Sequence, residues 1–170
     1  GRDYTRSVAE TRRLELASGA QAPEDIDQTL LGWPEYQRGR VAVVFSTLFA
    51  VPIRRKTDNW DKQAYADADQ AHHLYRTQLD AYHTLTDRVP DLFQFVATRA
   101  DLETVLAHWA DPSRQYHPVG IVPLMEGAEG VRSPSELNEW WEAGLRMIGL
   151  AWAGTRFCGG TRDPGPLTED

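Results

Sequence analysis

The stretch Arg40-Val-Ala-Val-Val-Phe-Ser-Thr-Leu-Phe-Ala-Val-Pro52 is apolar at nearly every position and rich in β-branched and aromatic side chains. A strand with one wet face alternates polar and apolar residues. This one does not, and the pattern predicts a strand covered on both faces, as in a parallel sheet. A second such run, within Tyr116-His-Pro-Val-Gly-Ile-Val-Pro-Leu-Met-Glu126, stops abruptly at a carboxylate followed by Gly127. Parallel strands need a crossover of a dozen or more residues, most often a helix, and helical patterns lie between these runs.

The longest helical pattern runs from about Asp61 to Arg88. Ala64, Ala68, Ala71, Tyr75, Leu79, Tyr82 and Leu85 recur there at three- and four-residue steps, the spacing of one helical face. The other face is expected to carry Asp, Gln, Arg and His to water. Pro90 ends it, Leu92 to Ala97 reads as a short strand, and Thr98 can cap a helix through His108 or Trp109. Ser133, Pro134 and Glu136 form a compact helix start as N-cap, first-turn proline and reach-back acid. That helix should run to Ala143, with Gly144 stopping it and Leu145 to Trp152 as the next strand. A loop with several glycines and two prolines follows, from Ala153 to Pro166. Nearer the amino terminus, a short helix between Ser7 and Leu16 and a turn of helix after Trp33-Pro34 complete the pattern.

Strands separated by helices, too apolar to have a wet face, imply parallel strands joined by right-handed crossovers. Periodicity alone does not choose between an open doubly wound sheet and part of a barrel. At 170 residues one folding unit over 1–170 is the default. Gly1-Arg-Asp-Tyr-Thr-Arg has neither an initiator Met nor a signal-peptide hydrophobic stretch and reads as an interior cut. Gly165 to Asp170 reads as a helix approach with no helix after it, so the unit is expected to be incomplete at both ends.

The formal net charge of −7 and the pI near 5.2 remove the electrostatic basis for nucleic-acid binding, which relies on Lys and Arg displacing counterions. No apolar run approaches the ~18 to 20 residues that cross a bilayer. The one cysteine, Cys158, excludes an internal disulfide framework and has no motif-level catalytic partner. Compartment stays open, leaning toward the cytoplasm. No phosphate-binding loop spacing and no G-x-G-x-x-G after a strand is present, so a nucleotide site is rejected.

Glu126 is the most informative residue, because carboxyl-terminal strand ends face the active-site mouth in α/β barrels. A carboxylate there can bind or bridge metals; it can equally be a capping or salt-bridged acid. Arg156, in Gly154-Thr-Arg-Phe-Cys-Gly-Gly160, reads as a solvated arginine or as a planar fork for a substrate carboxylate. Of the five histidines, His72 and His73 diverge on one helix, and His83, His108 and His117 share no ligand-like spacing. They are expected at the surface or in packing. Trp140 and Trp141, in a helix with Leu137, are expected in core or subunit packing.

Pro123-Leu-Met-Glu-Gly-Ala-Glu-Gly130, then a helix, then Ala143-Gly-Leu-Arg-Met-Ile-Gly-Leu150 resembles the renal (membrane) dipeptidase family. There a "G-x-E-G" strand end precedes an "L-G-V-R-Y-x-x-L" strand. Gly165-Pro-Leu-Thr168 is similar to the family's "G-L-T-x-x-G" with Pro166 inserted, and Gly39 onward resembles its second barrel strand. The likeness spans most of the chain, with motif-level support over 118–168. It implies an α/β fold, part of a (β/α)8 barrel, with two metal ions, normally zinc. In the family a glutamate bridges them, and a hydroxide attacks the carbonyl of a dipeptide or small amide. Glu126 matches the bridging position. The other metal ligands, an early His-x-Asp, two later histidines and a late aspartate, have no counterpart in these 170 residues. The segment alone is therefore expected to be inactive, and dimerisation is the family's tendency.

One departure concerns the substrate pocket. The family's strand closes with "L-T-H-x-x-N", its histidine on the substrate, where this chain reads Leu150-Ala-Trp-Ala-Gly-Thr155. Trp152 takes that place, either lining an altered pocket or packing in the core, and its indole cannot act as an acid or base. Two rival readings remain. One is an amidohydrolase-type barrel acting on a non-peptide substrate. The other is a barrel-derived binding protein without metals.

Overall fold

The computed structural model describes residues 3–19, 31–56, 63–151 and 154–169. Helix α1 (Val8–Ala17) starts where Ser7 Oγ accepts the Glu10 N–H at 3.3 Å. Helix α2 (Trp33–Gly39) has Pro34 in its first turn and ends at Arg40 in the left-handed region, φ 53°. The Glu35 carboxylate accepts the N–H groups of Gly32 at 3.0 Å and Val8 at 3.1 Å, so one half-buried acid joins the starts of both helices. Those bonds to its charged form hold its carboxyl below the usual glutamate range, against the opposing effect of burial.

The expected strand within 40–52 is divided. Strand β1 (Val43–Leu48) ends before Phe49 and Ala50, which lie outside any strand, and a short β2 (Val51–Pro52) pairs in parallel with β3 (Ala64–Tyr65). The long helix accordingly begins later than its periodicity suggests, as α3 (Ala68–Arg88). Asp67 stops propagation toward the amino terminus because its carboxylate caps the Gln70 N–H at 2.8 Å. The part of the expected helix at 61–62 lies outside the described residues.

Strand β4 (Phe93–Phe95) and helix α4 (Arg99–Ala110) follow. Thr98 caps α4 as expected, its Oγ1 accepting the Asp101 N–H at 3.1 Å while the Asp101 carboxylate returns to the Thr98 N–H at 2.7 Å. Strand β5 (Val119–Glu126) ends on the expected carboxylate. The start at Ser133 gives a 3-10 turn, Pro134–Glu136, and then a short α5 (Leu137–Glu142). Glu136 does reach back, to the Arg132 N–H at 2.9 Å, while Ser133 Oγ bonds Ser135 Oγ and caps nothing. Strand β6 (Met147–Gly149) is shorter than expected.

The glycine-rich loop and the supposed helix approach at 165–170 contain instead an antiparallel hairpin, β7 (Cys158–Gly160) with β8 (Asp163–Leu167). Gly159 and Gly165 make it possible: a Cβ on Gly159 would stand 1.9 Å from the Gly165 nitrogen. No helix among the described residues is long and apolar enough to cross a membrane.

The main sheet is parallel throughout and centred on β5. All of β1 runs along one edge of β5, Val43 opposite Gly120 through Leu48 opposite Met125. The other edge is shared: β4 pairs with Val119 to Ile121, and β6 with Leu124 to Glu126. The class is the expected one, α/β with parallel strands alternating with helices. Consecutive barrel strands would lie side by side, yet β1 meets β5 directly, because β4 pairs along the other edge of β5 and not between the two. The chain thus steps past β5 and then back, and right-handed crossovers in opposite directions put their helices on opposite faces.

Helix α3 packs on the face carrying Leu48, Ile121 and Met125, and Trp140 of α5 joins the same core. Val105 of α4 lies against the opposite face, where a Cβ on Gly120 would meet its methyl groups at 3.4 Å. That opposite face is only partly covered. Phe45 is 60% exposed, so β1 is not buried on both sides as its composition predicts. Val122 and Leu124, on the same face, are half-buried.

Candidate functional site

The carboxyl-terminal ends of the strands meet at a narrow cleft. It is lined by Phe49 and Ala50 after β1, Tyr65 of β3, Tyr75 of α3, Glu126 and Glu129 at and after β5, and Thr155 after β6. Glu126 is exposed and is the last residue of a strand paired in parallel on both edges, the place where α/β proteins put functional groups. Gly127 then turns the chain at φ 78°, a conformation that glycine adopts without a Cβ clash. Its N–H donates to the Gly149 carbonyl at 2.9 Å, and the Ala128 N–H donates to Leu150 at 3.0 Å, so the turn is fastened to β6.

Helix α3 holds the rim from below with three polar side chains. The Tyr75 hydroxyl donates to the Glu126 carbonyl at 2.8 Å. The Gln78 amide brackets Phe49, donating to its carbonyl at 2.8 Å and accepting its N–H at 2.9 Å. The Tyr82 hydroxyl donates to the Thr47 carbonyl at 3.0 Å. Each satisfies main chain that a strand end leaves unpaired. Gln78 was expected to face water, and the same correction applies to two histidines. His72 Nδ1 donates to the Gly130 carbonyl and His83 Nε2 to the Ala143 carbonyl, both at 2.9 Å. These rings, with His117 donating to the His108 carbonyl, fasten loops.

Tyr75 and Gly130 show how tightly the rim is built. A Cβ on Gly130 would stand 2.7 Å from Tyr75 Cγ and 2.9 Å from its Cβ, the rigid root of the side chain. Gly130→Ala is therefore expected to cost about 1–3 kcal/mol through overpacking. A urea titration that places the alanine variant within error of the parent chain would contradict this contact.

Glu129 and Tyr65 are site residues that the sequence reading passed over. One Glu129 carboxylate oxygen accepts the Arg156 N–H at 3.1 Å. Burial, with the Glu129 charge close by, pushes the Tyr65 hydroxyl up to about 12, and burial raises Tyr75 further. Both phenols stay protonated at neutral pH. The signal for Glu129 was the second acid in Glu-Gly-Ala-Glu; Tyr65 was absorbed into the expected helix.

Arg156 lies beside the cleft with its side chain turned away from it. Its guanidinium donates to the Val131 carbonyl and stacks on Phe157, 4.9 Å from the ring centroid. Its Nε is buried without a partner. Trp152 lies outside the described residues. Trp140 is core, 1% exposed, whereas Trp141 is 56% exposed.

A catalytic zinc takes about three protein ligands. The cleft offers Glu126 and, with one oxygen engaged, Glu129. No three His, Cys, Asp or Glu side chains come together to hold a metal among the described residues. These residues do not by themselves fit a metal ion.

No family model and no curated protein matches the sequence. Solved structures do match in fold. The probable dipeptidase PvdM from Pseudomonas aeruginosa superposes with a TM-score of 0.62 at 20% identity, over 82% of this chain and 32% of that one. The dipeptidase AC, a metallopeptidase of family M19, gives 0.62 at 18% identity, over 90% of this chain and 43% of that one. The chain thus spans about a third of one neighbour and under half of the other. One is described as a probable dipeptidase and the other as a dipeptidase, the kind of protein the Glu126 motif resembles. The shared fold agrees with the expected class, parallel strands alternating with helices as in part of a barrel.

Proposed function

We propose that this chain forms part of a metal-dependent, dipeptidase-like hydrolase in which Glu126 is a ligand to zinc. The observation that carries the reading is the position of Glu126: the exposed last residue of a parallel strand, opening onto a cleft where three strand ends converge. The fold shared with two dipeptidases supports it. A short peptide or another small amide is the substrate class. The remaining metal ligands are not among the described residues, so the 170-residue chain on its own is inactive.

Arg156 remains the candidate partner for a substrate carboxylate, a role that requires its guanidinium to leave Val131 and Phe157 and turn into the cleft, and Trp152 remains the candidate pocket wall. The test is metal analysis of the full gene product together with hydrolysis of a dipeptide panel. Expected are about two zinc ions per chain, the family's number, hydrolysis of at least one dipeptide, and loss of both with Glu126→Gln. A metal-free product that cleaves nothing, or one whose zinc and activity survive Glu126→Gln, would overturn the reading.

A further inference from the structure

Strand β1 is paired along one edge. The Gly120 N–H donates to the Ala42 carbonyl at 2.8 Å, and Val43 stands opposite Gly120. In a parallel ladder the main-chain groups of successive residues point alternately to the two edges. Ala42, Val44 and Ser46 therefore turn theirs to β5, and Val43, Phe45 and Thr47 turn theirs outward. The Thr47 carbonyl agrees, because it accepts the Tyr82 hydroxyl at 3.0 Å. No strand among the described residues takes this outer edge.

Edge strands normally carry a charge, a proline or a bulge that prevents further pairing. Strand β1 has none of these. No charged residue stands between Arg40 and Arg54, Val43–Leu48 contains neither proline nor glycine, and the register with β5 is unbroken. Its side chains are open as well. Phe45 is 60% exposed on one face, and on the other Val44 and Ser46 line a hollow of about 330 Å³. An edge and both flanking faces are thus uncovered along the same residues, and the occupant that fits all three is another strand.

We propose that β1 pairs antiparallel with β1 of a second copy of this chain, about a two-fold axis at Phe45. The outward residues are symmetric about Phe45, so Val43 of one copy meets Thr47 of the other, and Phe45 meets Phe45. Each such pair can exchange two N–H···O bonds, and the Thr47 carbonyl has a second lone pair for this beside the Tyr82 hydroxyl. The next registers on either side set Val43 against Phe49 or Thr47 against Val41. The Phe49 N–H is already given to Gln78, and the Val41 N–H to the Tyr36 carbonyl. The two Phe45 rings come together on the open face as a cross-strand aromatic pair. Charge favours the same seam: two chains of net charge −7 repel, and β1 brings no charge of either sign into the contact. The same patch is used on both copies, so the assembly closes at two.

The test is sedimentation equilibrium of the 170-residue chain over a wide range of concentration. A reversible monomer–dimer equilibrium is expected. Phe45→Asp sets two carboxylates opposite each other and should raise the dimer dissociation constant roughly tenfold or more. Because Phe45 is exposed, that variant should keep the parent's circular dichroism and urea midpoint, which separates lost association from lost folding. Register is read by cross-linking in a Cys158→Ser background. Val43→Cys mixed with Thr47→Cys should form a disulfide between the two variants under mild oxidation, and neither variant should link to itself, since like positions then stand too far apart.

A chain that stays monomeric at every concentration would leave the edge to some other strand and overturn the proposal. A dimer unmoved by Phe45→Asp would place the contact on another face, and self-linking as ready as mixed linking would refute the register; either also overturns it. The inference does not rest on the hydrolase reading, whose test by zinc content and dipeptide cleavage stands whichever way this one falls.

Discussion

Replacing Tyr75 with alanine is expected to destabilise the chain by about 3–5 kcal/mol, the range for truncating a fully buried aromatic side chain. Tyr75 is 1% exposed, packs in the core with Leu48, Leu79, Met125 and Trp140, and presses on Gly130. The same change leaves the Glu126 carbonyl without its donor. Tyr75→Phe separates the two effects. It keeps the ring and removes only the hydroxyl, so it should cost about 1–3 kcal/mol, the penalty of one part-buried acceptor left unpaired. Its amide spectrum should change chiefly around Glu126 and Gly127. Urea denaturation of both variants decides the matter. A phenylalanine variant as stable as the parent, with the Gly127 amide unmoved, would show that the hydroxyl does not hold the strand end.

Much of the local structure was legible because it rests on neighbours in sequence. Ser7 and Thr98 cap the helices that follow them, Gly144 lies beyond α5 at φ 96°, and the apolar run up to Glu126 is a strand that ends there. Tyr65 escaped because Ala64 and Ala68 fit a helical step, while Asp67, which stops the helix, lies between them. The hairpin escaped because Thr161 and Arg162 at its turn are not the Asn-Gly or Asp-Gly pair that marks one. Pro164 and Pro166 also argue against a strand unless it lies at an edge, and β8 pairs with β7 alone.

Two features were illegible in principle. An apolar run shows that a strand can be buried, not that something covers it, and the exposure of Phe45 is the result. Nor does alternation of strands and helices fix strand order: β1 meets β5 because β4 takes the far edge of β5, a choice that no local pattern records. At the site, Glu126 was legible from its place at the end of a run. The side chains that position it, Tyr75 and Gln78, looked like ordinary helix-face residues. Their roles depend on main-chain groups about 30 to 50 residues away in sequence.

Arg146 carries the second large expectation. The motif comparison placed it inside a strand, as the arginine of Gly144-Leu-Arg-Met147. In the structure it stands just before β6 and acts as a clamp. Nε donates to the Ala97 carbonyl at 2.5 Å, and Nη1 donates to the carbonyls of Trp141 at 2.6 Å and Leu145 at 2.7 Å. The guanidinium carbon lies 3.7 Å from the centroid of the Trp141 ring. One planar group thus ties the end of β4 to α5 and to the approach to β6.

Arg146→Ala is expected to cost about 3 kcal/mol, since charged hydrogen bonds contribute roughly 1.5–3 kcal/mol each and the bonds of one fork are not additive. Arg146→Lys should recover less than half of that, because a point charge on a flexible stem cannot serve three carbonyls from one plane. The effect reaches the cleft through β6, whose Gly149 carbonyl accepts the Gly127 N–H beside Glu126. Hydrogen exchange at Gly127 should therefore accelerate in Arg146→Ala by more than exchange at Val119, at the far end of β5. If lysine restores full stability, or if the two amides accelerate equally, the planar clamp is not what sets the geometry beneath Glu126.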